Sequence, residues 1–281
     1  MAESSDDDGD DPPAFGPQLR ALRVERRLSQ MALALTAEVS QRHLSFLESG
    51  RAQPGRAVAA RLAAGLGLSP DAANVLMAAA GFAPLFPQRG FGDPEMAPLR
   101  SAAEHVLRGH APYPAILIDD IGDILDANPA FDAALALLGD PETLWRRTHQ
   151  SADPRAAPPR RNLYRLTLHP EGTAAALLNF DEVVRATLQR LLAGREPSPR
   201  LRSLVAEIVA WPGIDPSWAR PRWGPPPAPI MAERYQARGR VLSVFAVVTK
   251  LSAAPDAAAA GLSVESYFPA DAATQAAFET L

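Results

Sequence analysis

Cysteine is absent from this 281-residue chain. That excludes disulfides, thiolate nucleophiles, iron–sulfur clusters, cysteine-based zinc sites and a cysteinyl flavin adduct together. The composition is compatible with a reducing cytosol, and a cytoplasmic location is the expectation. Lysine is nearly absent as well: Lys250 is the only one among 28 basic residues. With alanine and proline abundant, this arginine bias reads as the coding bias of a GC-rich genome. No run of about 18 apolar residues occurs, so no membrane-spanning helix is expected. The N-terminus is acidic, whereas an export signal begins with a basic and then an apolar stretch. There is no HExxH pair, no G-x-S-x-G elbow and no lysine-bearing phosphate loop. Catalysis therefore lacks candidate residues, and no metal or cofactor is expected.

What remains is ordinary globular material. Hydrophobic residues make up 47% and charged residues 21%, enough to build about two domains. The net charge of −4 is unevenly spread. Residues 1–16 carry Glu3 and five aspartates with no base, which leaves −6. In residues 17–90, nine arginines face Glu25, Glu38, Glu48 and Asp71, which leaves +5. One basic segment inside an acidic chain suggests a polyanionic partner there.

The acidic stretch 1–16 repels itself and is read as a disordered tail. From Gly16 to Gly81 short helices follow one another. Leu19, Leu22 and Leu28 mark the inner side of a first helix that carries Arg20, Arg23, Arg26 and Arg27 outward. Ser29 and Ser40 stand where each caps a following helix, and Gly50 stands where a left-handed residue closes one. Two more helices fit 56–65 and 70–80. Residues 82–98, rich in Pro, Gly and Phe, read as a linker. Beyond a short helix near 99–108, runs at 114–119 and 123–128 form a hairpin about Gly122, and helices follow at 129–138, 172–194 and 198–211. Strands at 229–237, 240–251 and 261–268 complete an antiparallel sheet of about five strands. The Pro-rich stretches 153–159 and 221–229 are surface loops. The fold class is α+β, an all-α domain followed by a mixed one.

Leu28 to Arg51 is the most specific stretch. Two short helices joined by a tight turn, with Ala34 at their crossing and Val39 and Leu44 inward, make a helix-turn-helix. A major groove admits one helix, and the residues of its first turn reach base edges. Here these are Ser40, Gln41, Arg42 and Ser45. Gln pairs bidentately with adenine and Arg with guanine, and Phe46 can meet a thymine methyl. Gln30 and Arg51 are placed for phosphates. Capping by Ser40 and an ion pair from Glu48 to a nearby Arg are the plainer readings of those two residues. The agreement of caps, turn, inward residues and charge favours double-stranded DNA as the partner.

Residues 17–80 resemble the five-helix, lambda-repressor-like DNA-binding domain of the Xre (Cro/CI-type) repressors. The family pattern L-S-Q-x-x-L-A-x-x-x-x-V-S-x-x-x-L-S-x-L-E-x-G is matched from Leu28 to Gly50. Glu38 departs from it, standing where the family usually has glycine in the turn. The remainder resembles the PAS-like ligand-binding domain of MmyB-like regulators, through AGFAPLF, PYPAILIDDIGDILDANPAF, NLYRLTLHPEG, AWPG, LSVFAVVTKLSAAPD and ESYFPAD. The implied organisation is a tail over 1–16, a DNA-binding domain over 17–81, a linker over 82–98 and a ligand-binding domain over 99–281. The resemblance implies a regulator sensing a small apolar, fatty-acid-like molecule, and a homodimer matches palindromic half-sites. A C-terminal domain that only dimerises, or an enzyme domain behind a DNA-binding head, are the alternatives.

Other constellations are weaker. Asp119, Asp120, Asp123 and Asp126 straddle a hairpin without calcium-loop spacing and read as solvated turn carboxylates. His149 and His169 are the histidines a haem-binding sensor would use, though core or surface packing is the simpler role. Trp211, Trp218 and Trp223 lie on a proline-stiffened stretch that either lids a pocket or caps the core. Ile116, Ile118, Leu125, Phe131, Val244, Ala246 and Val248 either line a cavity or fill it, and strand alternation does not distinguish these.

Overall fold

The computed structural model describes residues 14–86, 89–149, 160–193, 198–220, 230–251 and 261–281. The chain divides into two compact units, one ending at Gly90 and the other starting at Phe91. Most of the acidic tail, Trp223, both Pro-rich loops and the Ala-Pro-Asp turn lie outside the described residues.

The first unit holds helices α1 (Phe15–Glu25), α2 (Gln30–Thr36), α3 (Gln41–Glu48), α4 (Arg56–Gly65) and α5 (Pro70–Ala79). Ser29, Ser40 and Ser69 cap three of them. Each hydroxyl accepts the backbone N–H three residues on, at 3.0, 3.1 and 3.3 Å, satisfying an amide that the first turn leaves without a partner. Leu19, Leu22, Leu33, Leu44, Leu47 and Leu62 pack into one core with Leu76 and Met77. Burying each such side chain is worth about 1.5–3 kcal/mol.

Three expectations change here. Leu28 lies past the end of α1, because Arg27 turns left-handed at φ 55° and the Leu28 N–H reaches back to the Arg23 carbonyl at 3.1 Å. It still packs against the core. Phe15, ahead of position 17, is already a buried core residue. Residues 83–86 of the expected linker are tied to the helices. The buried Asn74 amide donates to Phe86 O at 2.9 Å and accepts from Leu85 and Phe86 N–H at 2.8 and 2.9 Å. Arg56 donates to the carbonyls of Ala83 and Pro84 at 2.7 and 3.1 Å.

The second unit is α+β, as expected. Its elements are α6 (Ala97–Gly109), β1 (Ala115–Ile118), β2 (Ile124–Ala127), α7 (Pro129–Leu138), α8 (Pro141–Thr148), α9 (Leu163–Leu168), α10 (Phe180–Leu192), α11 (Pro199–Val209), β3 (Glu233–Ala237), β4 (Arg240–Lys250), β5 (Ser263–Pro269) and α12 (Ala272–Glu279). The five strands form one antiparallel sheet in the order β2-β1-β5-β4-β3. Its centre joins a hairpin from each end of the unit, so the fold closes only when β1 finds β5.

The single helix expected over 172–194 is interrupted. Thr173–Ala176 form a 3-10 turn, Leu177 bridges to Tyr235, and α10 begins at Phe180. The strand expected from 229 begins at Glu233. Helices α8, α9 and α12 were not expected.

One buried amide organises the entry to this core. Asn128 caps α7 by accepting the Phe131 N–H at 3.2 Å and accepts the β1 Ala115 N–H at 3.0 Å. Its own amide donates to the carbonyls of Leu107 and Tyr113 at 3.1 and 2.8 Å. A single side chain thus joins α6, β1 and α7, and fixes where Phe131 enters the core.

Candidate functional site

In the helical unit, α2 and α3 are joined by a turn of fixed geometry. Glu38 adopts φ 54°, and the Val39 N–H bonds to Ala34 O at 2.9 Å. The left-handed residue at this position is the one the family pattern gives to glycine, so the turn keeps its shape and Glu38 carries the strain. At the other end of α3, Gly50 closes the helix at φ 72°.

Leu44 and Leu47 are fully buried, and this sets the opposite side of α3 outward. Gln41 and Arg42 are exposed there, while Ser45 and Phe46 are partly buried. The Arg42 guanidinium lies 5.4 Å from the Phe46 ring centroid, so the two cover one another along the helix. Ser40 is exposed and its hydroxyl is engaged as the cap. Arg51 is exposed just beyond Gly50.

Gln30 is held from below. Its amide donates to Glu48 Oε2 at 2.8 Å. Glu48 also receives Arg23 Nε at 2.6 Å and Nη2 at 2.9 Å, although only 7% of the residue is exposed. Burial alone would raise the Glu48 pKa. The bonds from Arg23 and Gln30, with the charges of Arg23 and Arg20, outweigh it and hold the carboxyl below its ordinary range. Arg20, Arg23, Gln30, Ser45, Glu48 and Ser49 line a polar notch of about 260 Å³ beside α3. Gly16 lets α1 approach: a Cβ there would stand 2.5 Å from Leu47 O. The sequence reading gives Glu48 an ion pair to a nearby Arg but sets Arg20, Arg23, Arg26 and Arg27 alike outward. Nothing in it picks Arg23, which the structure turns in to Glu48, or ties Gln30 to the pair.

In the second unit, a cavity of about 80 Å³ opens beside the sheet. Phe131, Leu135, Leu163, Leu166, Val244 and Phe278 form much of its apolar wall, and Thr167, Thr173, Glu233, Tyr235 and Tyr267 are the polar residues that line it. Strand register places Ile116, Ile118, Val244, Ala246 and Val248 on one face of the sheet with Glu233, Tyr235, Glu265 and Tyr267. Of the residues proposed from sequence, Phe131 and Val244 line the cavity. Ile116, Ile118 and Trp218 are buried in the same core and fill it, and Trp211 and Ala246 pack against that core. Leu125 is half-buried on β2, away from the lining. Val248 is 41% exposed, because β4 runs on past Val244, where its pairing with β3 stops.

The polar groups escaped the sequence reading. Their signal is a repeated E-x-Y: Glu233 with Tyr235 on β3, and Glu265 with Tyr267 on β5. The two-residue spacing puts each pair on one strand face. The Tyr235 hydroxyl donates to Glu233 Oε2 at 2.7 Å, and the Tyr267 hydroxyl to Glu265 Oε2 at 3.2 Å.

The aspartates and histidines also gain definite roles. Asp123, expected to be solvated, is 5% exposed; it accepts from Asn162 and pairs with Arg200, each at 2.9 Å. Asp119 accepts the N–H groups of Ile121 and Asp123 at 3.1 and 2.8 Å, and burial pushes its pKa to about 6. His149 Nε2 accepts the Asn162 N–H at 2.7 Å, which leaves that nitrogen committed within the fold. His169 accepts from the Glu171 N–H at 3.1 Å and packs edge-on to Trp211. Among the described residues, no group of three His, Asp or Glu side chains is arranged to hold a metal ion, and no helix is long and apolar enough to cross a membrane.

A short capped helix with an outward polar face, braced by its neighbours, defines a helix-turn-helix protein of the transcription-regulator class. Residues 14–76 match the helix-turn-helix domain family, and residues 99–281 match the MmyB-like transcription regulator ligand binding domain. The chain belongs to the MmyB-like family of transcription regulators, as the sequence resemblance implied. Among solved structures it is similar to the clp gene regulator ClgR from C. glutamicum, at 36% identity over 24% of this chain and 84% of that one, with a TM-score of 0.21. No curated protein matches the chain.

Proposed function

We propose that this transcription regulator binds a specific DNA operator through α3, acts in the cytoplasm as a homodimer, and changes its DNA occupancy when a small, largely apolar molecule enters the C-terminal cavity. The observation that carries the DNA reading is the α3 face. Gln41 and Arg42 stand exposed at the first turn of a helix whose position is braced by the Arg23–Glu48–Gln30 contacts. Arg42 and Gln41 are the base-reading residues in this account, with Ser40, Ser45 and Phe46 beside them. Gln30 and Arg51 meet phosphates, Gln30 by turning from Glu48 or by sharing its amide protons.

The cavity supports sensing because its walls are apolar and its polar groups few, the usual make-up of a small-molecule site. A ligand alters occupancy only by binding two conformations with different affinity. The fatty-acid-like class implied by the resemblance is the starting point for the apolar part of that ligand.

Selection of bound duplexes from randomised DNA tests the reading. The expected product is an enriched near-palindrome with half-sites about one helical turn apart. Recovery of unenriched DNA, with binding that depends on salt alone, would contradict it.

A further inference from the structure

The cavity's polar end has an uneven charge balance. Glu265 receives the Tyr267 hydroxyl and also an ion pair from Arg190 Nη1 at 3.2 Å. Glu233 receives the Tyr235 hydroxyl, and no ion pair to it forms among the described residues. Tyr235 in turn meets the Thr173 hydroxyl, which links Glu233, Tyr235 and Thr173 along the cavity wall. Burial, with the neighbouring charge of Glu265, raises the Glu233 pKa above its ordinary range. Among the described residues no arginine, lysine or histidine lines the cavity, and Arg190, whose charge acts on Glu233, is paired with Glu265.

Resting on the sensing reading above, we infer that this cavity selects a small amphipathic ligand whose polar end donates a hydrogen bond, an alcohol or a primary ammonium, over one ending in an ionised carboxylate. A donor supplies Glu233 with a second partner beside the Tyr235 hydroxyl, where the walls around it are largely apolar. A second carboxylate in the same place faces the like charges of Glu233 and Glu265, while Arg190, whose charge reaches Glu233, is already paired with Glu265. The apolar wall takes the alkyl part. At about 80 Å³ the space is roughly half the ~150 Å³ that accommodates benzene, so it encloses only a short alkyl segment next to the polar end, and a longer chain extends through its open side.

The test titrates the full-length protein at neutral pH with alkan-1-ols, primary alkylamines and alkanoates matched in length from about four to about eight carbons, read by calorimetry and thermal shift. The expected result is binding of alcohols and amines, with amines at least about 10-fold tighter than chain-matched alkanoates. Glu233→Gln should abolish the amine preference and retain alcohol binding. Should that variant not fold, the wild-type order and Tyr235→Phe carry the test, since loss of the hydroxyl that shares Glu233 should strengthen amine over alcohol. Alkanoates binding as tightly as amines would overturn the headgroup inference while leaving a sensor in place. Binding of no probe at any length would overturn the sensing reading and this inference with it.

Discussion

Arg23 on α1 and Glu48 at the end of α3 meet as a two-pronged ion pair, Nε to Oε1 at 2.6 Å and Nη2 to Oε2 at 2.9 Å. The same guanidinium donates to Leu28 O at 2.8 Å, and Gln30 on α2 donates to Glu48 at 2.8 Å. One mostly buried carboxylate therefore ties α1, α2 and α3 to one another. Removing it strands a buried guanidinium. Glu48→Ala is expected to cost the helical unit about 3 kcal/mol in thermal or urea unfolding. A loss below about 0.5 kcal/mol would show that the pair does not brace α3.

Arg42 is exposed and forms no ion pair among the described residues, and its contact with Phe46 holds it extended along the helix. Arg42→Ala should weaken binding to a selected duplex by about 1–3 kcal/mol while changing random-sequence binding less. Equal losses on both duplexes would make Arg42 a phosphate contact. Competition binding at fixed salt measures the difference.

Glu38 carries a left-handed backbone at φ 54°, a conformation that costs a side-chain-bearing residue about 1–2 kcal/mol. Glu38→Gly relieves this strain and restores part of the cost as unfolded-chain entropy. The expected net is a gain of about 0.5–1 kcal/mol in urea stability. A destabilised variant would mean that the Glu38 side chain makes a contact worth more than the strain.

Asp119 and His149 respond to acid in opposite senses. Burial raises Asp119 to about 6, so the folded protein takes up that proton first and gains stability as the pH falls from about 6 toward 3.8. Burial, reinforced by the Arg165 charge, lowers His149 from 6.5 to about 4, so the unfolded chain takes up that proton first and stability is lost over that interval. The two slopes oppose each other. Asp119→Asn keeps the oxygen that accepts two backbone N–H groups and removes only the stabilising slope. Between about pH 6.5 and about pH 4.5 it should lose more stability than the wild type. Parallel urea-midpoint curves would contradict the assignment.

Features set by neighbouring residues were legible in the sequence. Ser29 and Ser40 cap because a hydroxyl ahead of a helix meets an amide three residues on, and Gly50 closes α3 for an equally local reason. Alternation likewise put Ile116, Val244 and Ala246 on one sheet face. What escaped depends on pairings across the chain. Arg23 and Glu48 are 25 residues apart, and Glu233 enters the cavity only because β3 pairs with β4 in one register. The six-residue α9, capped by Asn162, is too short for a hydrophobic period to show, yet it brings Leu163 and Leu166 to the cavity. Alternation could not say whether Ile116 lines a cavity or fills it, because that is decided by the helices packed opposite.

The central claim is that α3 reads the major groove through Gln41 and Arg42. Its most direct test is an affinity measurement on the selected duplex with each operator guanine replaced in turn by 7-deazaguanine, which removes only the N7 acceptor. The account predicts a loss of about 10-fold at one guanine per half-site, absent when the protein carries Arg42→Ala. Unchanged affinity at every position, together with a loss when inosine removes the minor-groove amino group, would contradict it.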